Sequence, residues 1–239
     1  IQTKSPWHTL HAGDYETFVQ TALTNLQADL KLPAAIPRGA ISIAGHSGGG
    51  KGLGQAAQDL AQKGGDVKDV TLVEAGYGGG EDAKGKTGEW FAQSFQLVRD
   101  WLLEGKPEKV LRVITKESST GAATRHTVEN VPYNPRTKKG DWSGRIPVLG
   151  LDGVRNAIKA KGREAELQAD ATEVATDPVQ RTGGMQLIRK IVVSRKKGGP
   201  PQGTIYVFVM ANPPRTQGED KHFGVRNATI DAIVSGQGK

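Results

Sequence analysis

Residues Ala40–Gly50 read A-I-S-I-A-G-H-S-G-G-G, a short apolar run that passes into Gly45-His46-Ser47-Gly48-Gly49 and then into a helix-like stretch from Lys51 to Lys63. A G-x-S-x-G sequence between a strand and a helix describes a nucleophile elbow. A serine on so sharp a turn takes up strained backbone angles, and its hydroxyl stands clear of the sheet. Glycines two residues before and after it are expected, because a Cβ at Gly45 or Gly49 would strike the neighbouring strand or helix. His46 is expected to pack beneath the turn. The helix that follows offers free N–H groups and a partial positive charge to an oxyanion, with the Gly48 N–H as one donor. Ser47 is therefore the candidate nucleophile.

The same residues carry a second reading. Gly45–Gly52 matches G-x-x-x-x-G-K, the first seven positions of a phosphate-binding P-loop, which also lies between a strand and a helix. In that reading Lys51 would cradle phosphates. The eighth position should be a Ser or Thr whose hydroxyl holds Mg²⁺, and here it is Gly52. Phosphoryl transfer depends on that metal. The elbow is therefore the stronger reading, with a glycine-rich turn that carries no chemistry as the third.

Outward from this turn, strand-like and helix-like runs alternate. Asp14–Leu30 places Phe18, Ala22, Leu23, Leu26 and Leu30 at helical spacing, with Asp14 as N-cap, and Pro33 and Pro37 end the run. Val67–Glu74 (V-K-D-V-T-L-V-E) is the next strand, so strand, helix and strand follow within about 35 residues, which implies a parallel sheet. Thr87–Leu103 repeats Trp90, Phe91, Phe95, Val98, Trp101 and Leu102 on a helical period, and Lys109–Thr115 is a third strand. Asn130–Gly150 reads as a long excursion, Leu151–Ala175 as a polar helix, and Met185–Val193 as either helix or strand. Thr204–Met210 is β-branched and aromatic throughout, a clear strand. Arg226–Val234 resembles a closing amphipathic helix. The expected fold is α/β, a mostly parallel sheet flanked by helices in one domain spanning 1–239, with 130–203 inserted as a partial cap or side lobe.

Composition narrows the function classes. The 239 residues include no cysteine, which excludes disulfides, thiolate metal sites and cysteine nucleophiles, and faintly favours an exported protein. Nothing approaches the roughly 18 consecutive apolar residues of a membrane span. A chain opening at Ile1 reads as part of something longer, a soluble domain that is secreted or delivered with a larger protein. The formal charge of +7 could serve an anionic surface partner. Its basic residues are scattered, and aromatics make up only 5% of the chain, so a nucleic-acid stacking platform is not expected.

A serine nucleophile needs a base to take its proton and a third group to orient that base. Of the five histidines, His222 lies in K-H-F-G-V, twelve residues beyond Met210. Sites on such sheets form at the carboxyl ends of strands, so a loop after the last strand can return His222 over Ser47. His126 is the second candidate base, and His8 and His11 rank below it. Glu74 closes the strand after the elbow helix and is the candidate orienting acid, with Glu117 as its competitor. Asp220 lies too close to His222 in sequence for their side chains to face each other.

A-G-H-S-G-G, then T-L-V-E-A-G-Y-G, then K-H-F-G-V together resemble the α/β-hydrolase superfamily. More narrowly they resemble bacterial hydrolase-like domains with the pattern G-H-S-G-G … L-L-D-x-x-Y-G … H-F. The likeness runs from about Ala40 to Val234, and these three blocks are its specific part. It implies the order Ser47, Glu74, His222, and hydrolysis of a small-molecule or polymeric ester, thioester or amide through an acyl-enzyme with no cofactor. Glu74 stands where the pattern more often has Asp. The superfamily also supplies an oxyanion donor from a strand and loop before the elbow. Here Trp7–Gly13 is the candidate loop, and the first strands of such a sheet are expected to lie before Ile1. A non-catalytic module that keeps this frame and binds an anionic partner is the alternative.

Overall fold

The computed structural model describes residues 14–35, 39–75, 80–81, 90–104, 108–116, 127–129, 145–174, 185–196 and 200–210, together with the single positions 226 and 229. In chain order the first elements are α1 (Asp14–Asp29), β1 (Ile41–His46), a 3₁₀ turn (Ser47–Gly49), α2 (Gly50–Gln62), β2 (Val67–Val73) and β3 (Gly80–Glu81). There follow α3 (Trp90–Leu103), β4 (Lys109–Lys116), β5 (Ile146–Pro147), α4 (Leu151–Ala160), β6 (Leu167–Glu173), β7 (Met185–Arg195) and β8 (Gly203–Met210). Six strands form one sheet in the order β1-β2-β4-β8-β7-β6, while β3 and β5 pair separately. The first four of those six run parallel, and β7 and β6 add antiparallel strands. The class is α/β with a mostly parallel sheet.

Register decides which face is core. Val70 pairs with Leu111, Leu111 with Ile205, and Ile205 with Ile191, and all four are fully buried. Ala57 and Leu60 of α2, Phe95, Val98 and Trp101 of α3, and Val154 and Ile158 of α4 pack in the same cluster. The steps β1 to β2 and β2 to β4 move the same way across the sheet. Crossovers of one hand then put α2 and α3 on one face. The other face carries the row Thr71, Arg112, Tyr206 and Lys190. There Arg112 pairs with Asp69, and the Lys190 Nζ lies 5.6 Å over the Tyr206 ring. Burial pushes the Arg112 pKa below its usual value.

Two contacts lock α3 in place. The Ser94 hydroxyl donates to the Gly50 carbonyl at 3.0 Å and accepts the Gly54 N–H at 3.1 Å, bridging one turn of α2. A Cβ on Gly54 would lie 2.1 Å from the Ser94 carbonyl oxygen, so only glycine lets the helices approach this closely. At the far end the last carbonyls of α3 are capped by side chains from three places. Lys109 Nζ donates to Trp101, Arg163 to Leu103, and Gln202 Nε2 to Glu104. Cationic donors at a helix C-terminus satisfy both its carbonyls and its dipole, which accounts for a buried lysine at the start of β4.

Three expectations change. The stretch 151–175 is not one helix: α4 ends at Ala160, and Leu167–Glu173 is a strand whose Leu167 and Ala169 face inward while Gln168 and Asp170 face water. Met185–Val193, left open above, lies within the strand β7. The described part of the 130–203 segment therefore extends the main sheet through β6 and β7 and covers it with α4. The helix α1 forms as expected, but Tyr15 and Val19 face the core while Phe18 and Leu26 are exposed. Burial, then the Asp59 and Asp14 carboxylates, raise the Tyr15 pKa above its ordinary value.

The α2–α3 contact gives a direct test. Gly54→Ala should lower stability by about 1–3 kcal/mol through overpacking. Gly39→Ala, where an added Cβ meets nothing within 4 Å, should change it by no more than ~0.5 kcal/mol. Denaturant midpoints measure both, and equal midpoints for Gly54→Ala and the wild type would contradict this packing.

Candidate functional site

Ser47 leaves β1 with φ +53°, in the left-handed region that a non-glycine residue adopts only under constraint. The constraint comes from both sides of the turn. Before it, a Cβ on Gly45 would sit 2.7 Å from Leu53 Cδ1 and 3.0 Å from the Gly49 carbonyl carbon. After it, a Cβ on Gly50 would sit 2.4 Å from the Ala75 carbonyl oxygen. Gly49, expected to be the second close-approach glycine, has nothing within 4 Å of such a Cβ. The tight contact falls one residue later, because Ser47–Gly49 already winds as a 3₁₀ turn and α2 begins at Gly50.

That winding also bears on the phosphate-cradle reading. Gly49 (φ −64°, ψ −20°) and Gly50 (φ −59°, ψ −24°) hold right-handed helical angles. A phosphate nest needs successive N–H groups that converge on a concavity, with alternating right- and left-handed residues. Here the alternation occurs once, between left-handed Ser47 and the right-handed residues that follow, before the chain runs into the helix. Ser47, Gly48 and His46 are half-buried, and Gly49 is exposed.

Glu74 stands beside this turn. His46 pairs with Val73, so Ser47 and Glu74 leave neighbouring parallel strands at the same level, where strands lie about 4.8 Å apart. Glu74 also has a left-handed backbone, φ +47°, and its N–H donates to the Ile114 carbonyl at 2.9 Å. Its side chain is only 1% exposed. Oε1 accepts the Lys116 N–H at 2.7 Å, and Oε2 faces the Lys116 ammonium at 3.7 Å. The expected strand-end acid is thus a buried, ion-paired one.

Lys116 had no place among the candidates. It is buried at the carboxyl end of β4 and faces Glu74 from the adjacent strand. Its signal in the sequence was the pair of strand endings V-E and T-K, which a parallel register brings to one edge.

The structure thus brings Ser47, Gly48, Glu74 and Lys116 to one edge of the sheet. The candidate bases His222, His126, His8 and His11, the competing acid Glu117, Asp220 and the candidate loop Trp7–Gly13 lie outside the described residues. Among the described residues, no group of His, Cys, Asp or Glu is arranged to hold a metal ion. None of their helices is long and apolar enough to cross a membrane. The chain matches no protein-family model, no curated protein and no solved structure.

The two glycines of the turn should separate cleanly. Gly45→Ala forces Leu53 to shift and should lower stability by about 1–3 kcal/mol. Gly49→Ala, open and already helical, should stay within ~0.5 kcal/mol of wild type. Thermal or denaturant unfolding would measure the difference, and a Gly49→Ala loss matching that of Gly45→Ala would contradict the geometry of the turn.

Proposed function

We propose that this chain is a serine hydrolase that cleaves an ester or amide through an acyl-enzyme on Ser47. The observation that carries the reading is the left-handed Ser47 at the junction of β1 and α2, next to Glu74 at the end of the adjacent strand. Strain of this kind costs of the order of 1–3 kcal/mol and clusters at functional sites. A glycine would adopt the turn without that cost. A serine there implies a use for its hydroxyl.

In this reading His222 takes the Ser47 proton as Oγ attacks the substrate carbonyl carbon, and the tetrahedral oxyanion is met by the Gly48 N–H at the start of the α2 turn. His222 then passes that proton to the leaving alcohol or amine as the carbonyl–leaving-group bond breaks. A water, deprotonated by His222, attacks the acyl carbon, and as the acyl–Oγ bond breaks His222 returns the proton to Ser47 Oγ and the acid is released. Glu74 keeps the imidazole oriented and stabilises its charged form. No cofactor enters any step. The fold proposed with it is an α/β-hydrolase-like sheet in which further strands pair beside β1, the edge strand among the described residues.

A fluorophosphonate probe tests the reading. Wild type should be labelled at Ser47, and Ser47→Ala should abolish labelling while the protein stays folded. Labelling absent from folded wild type, or persisting in Ser47→Ala, would sink the proposal. Substitution of the base, His222→Ala, should slow labelling by about 10²–10⁴-fold.

The phosphate-binding alternative predicts the reverse response to nucleotide. A ligand that binds only the native state raises its melting temperature. Millimolar ATP or GTP with Mg²⁺ should leave that temperature unchanged, and a stabilisation lost in Lys51→Ala would favour the rival reading.

A further inference from the structure

The edge of a sheet is a row of N–H and C=O groups ready to pair with another chain, and folded proteins blunt it with charge, proline or a covering side chain. The two edges of the six-stranded sheet differ in this respect. At β6, Asp170 and Glu173 stand on the strand, and Arg155 of α4 donates from Nε to the Ala169 carbonyl at 3.0 Å while its Nη2 pairs with Asp170 at 3.5 Å. At the other edge, β1 reads I-S-I-A-G-H, with no Lys, Arg, Asp, Glu or Pro. Among the described residues it is paired on one side only, with β2, and Ser42 and Ala44 are exposed. Its one irregularity of register falls between Ile41 and Ser42, so Ser42–His46 runs regular.

The helix beside that edge is open as well. On α2, Gly54 meets α3 through Ser94, whereas Asp59 meets α1, its Oδ2 accepting the Glu16 N–H at 3.3 Å. At 3.6 residues per turn Asp59 stands about 140° around α2 from Gly54, so α1 lies on the flank of α2 away from α3. Since α2 joins β1 to β2 and α3 joins β2 to β4, that flank is the β1 side of the sheet. Tyr15 and Val19 turn inward there, but Phe18, Ala22, Leu26 and Leu30, each four residues on, form a second stripe that is exposed. Phe18, Leu26, Leu30 and nearby Leu32 are four of the five large apolar side chains exposed among the described residues. Apolar residues scattered singly need no explanation, but a concentration on one helix marks a contact surface.

The stripe is complementary to itself. Set antiparallel to a copy about Ala22, Phe18 of one helix comes opposite Leu26 of the other, and the two small Ala22 side chains meet at the centre. The acidic first turn, Asp14 and Glu16, then lies toward Lys31 at the far end of the other helix. One patch meeting itself in this way is the mark of a twofold interface. A twofold axis perpendicular to the sheet also sets β1 antiparallel to β1 of the second copy and keeps both α1 helices on the same face. We propose that this chain forms a twofold dimer in which the β1 edges pair into one continuous sheet and the exposed stripes of α1 close over the joint. The strand that the proposed fold places beside β1 is then supplied by the second copy. The assignment of Ser47 plays no part in this inference.

Sedimentation equilibrium tests the dimer, with far-UV circular dichroism confirming that each variant is folded. At micromolar concentration the wild type should sediment at twice the 25.4 kDa of the chain. Ala22→Glu or Ala22→Lys alone sets like charges together on the axis and should weaken the dimer by about tenfold or more. An equimolar mixture of the two variants should restore it, because the charges that meet are then opposite. Thr24→Glu, exposed and on the other side of α1, should leave it unchanged. If either Ala22 variant unfolds, Leu26→Glu, also at an exposed site, replaces it as the variant that breaks the dimer. Hydrogen exchange at the amides of 41–46 should be slower in the wild-type dimer than in the monomeric variant. A monomeric wild type, a dimer that survives both Ala22 variants, or a mixture that stays monomeric would each overturn the inference. Exchange at 41–46 that is equally slow in dimer and monomer would overturn the pairing of β1, since the edge would then be covered by the same chain.

Discussion

The close seating of α2 against the sheet is the constraint on which the rest of the site depends. Three glycines make it possible. Gly45 admits Leu53, Gly50 admits the Ala75 carbonyl, and Gly54 admits the backbone of Ser94. Each glycine within the helix costs roughly 1 kcal/mol of helix propensity relative to alanine. The return is geometric: with α2 held this near, the chain has only three residues in which to turn from β1 into the helix. Ser47 takes the left-handed angles that such a turn demands. The Ser94 hydroxyl, bonded to both Gly50 and Gly54, pins the helix where the turn needs it.

The second constraint is electrostatic. The sheet brings a glutamate and a lysine to its carboxyl edge on adjacent strands and buries both. Removing one partner of such a pair leaves an uncompensated buried charge and is far more costly than the net worth of the pair. Glu74 is therefore held by its neighbours, at a backbone angle that it would otherwise leave. Two left-handed non-glycine residues, Ser47 and Glu74, stand side by side at the ends of β1 and β2. Left-handed non-glycine residues also occur at Lys31 and Glu108, so it is the adjacency of Ser47 and Glu74 at one sheet edge, beside a buried charge pair, that sets this place apart.

Most of the sheet was legible in the sequence because its parallel strands are continuous apolar, β-branched runs bounded by glycines. V-T-L-V, K-V-L-R-V-I-T and T-I-Y-V-F-V-M read as strands without tertiary help. Leu167–Glu173 did not, because an edge strand with one wet face is written in Gln, Ala, Asp and Glu, residues with ordinary or strong helix preference. Its pairing with β7 overrides local propensity. The helix α1 was legible but its inward stripe was not, since two apolar stripes compete and only packing on α2 chooses Tyr15 and Val19. The tight turn at Ser47 and the strand end at Glu74 were readable from the motif and the strand pattern. Lys116 was not, because its partner lies 42 residues away and only the parallel register joins them. Gly49 was misjudged for a related reason: the motif marks the turn, but the helix start decides which glycine is crowded.

A crystal structure of the protein with a phosphonate covalently attached to Ser47 tests the central claim most directly. The account predicts a ring nitrogen of His222 at about 2.7–3.2 Å from the Ser47 Oγ or a phosphonate oxygen, a Gly48 N–H on the phosphonate, and the Glu74 carboxylate on the other ring nitrogen. A phosphonylated Ser47 with His222 more than ~6 Å away and Glu74 turned from it would contradict the account, since no proton could pass between them at hydrogen-bond distance.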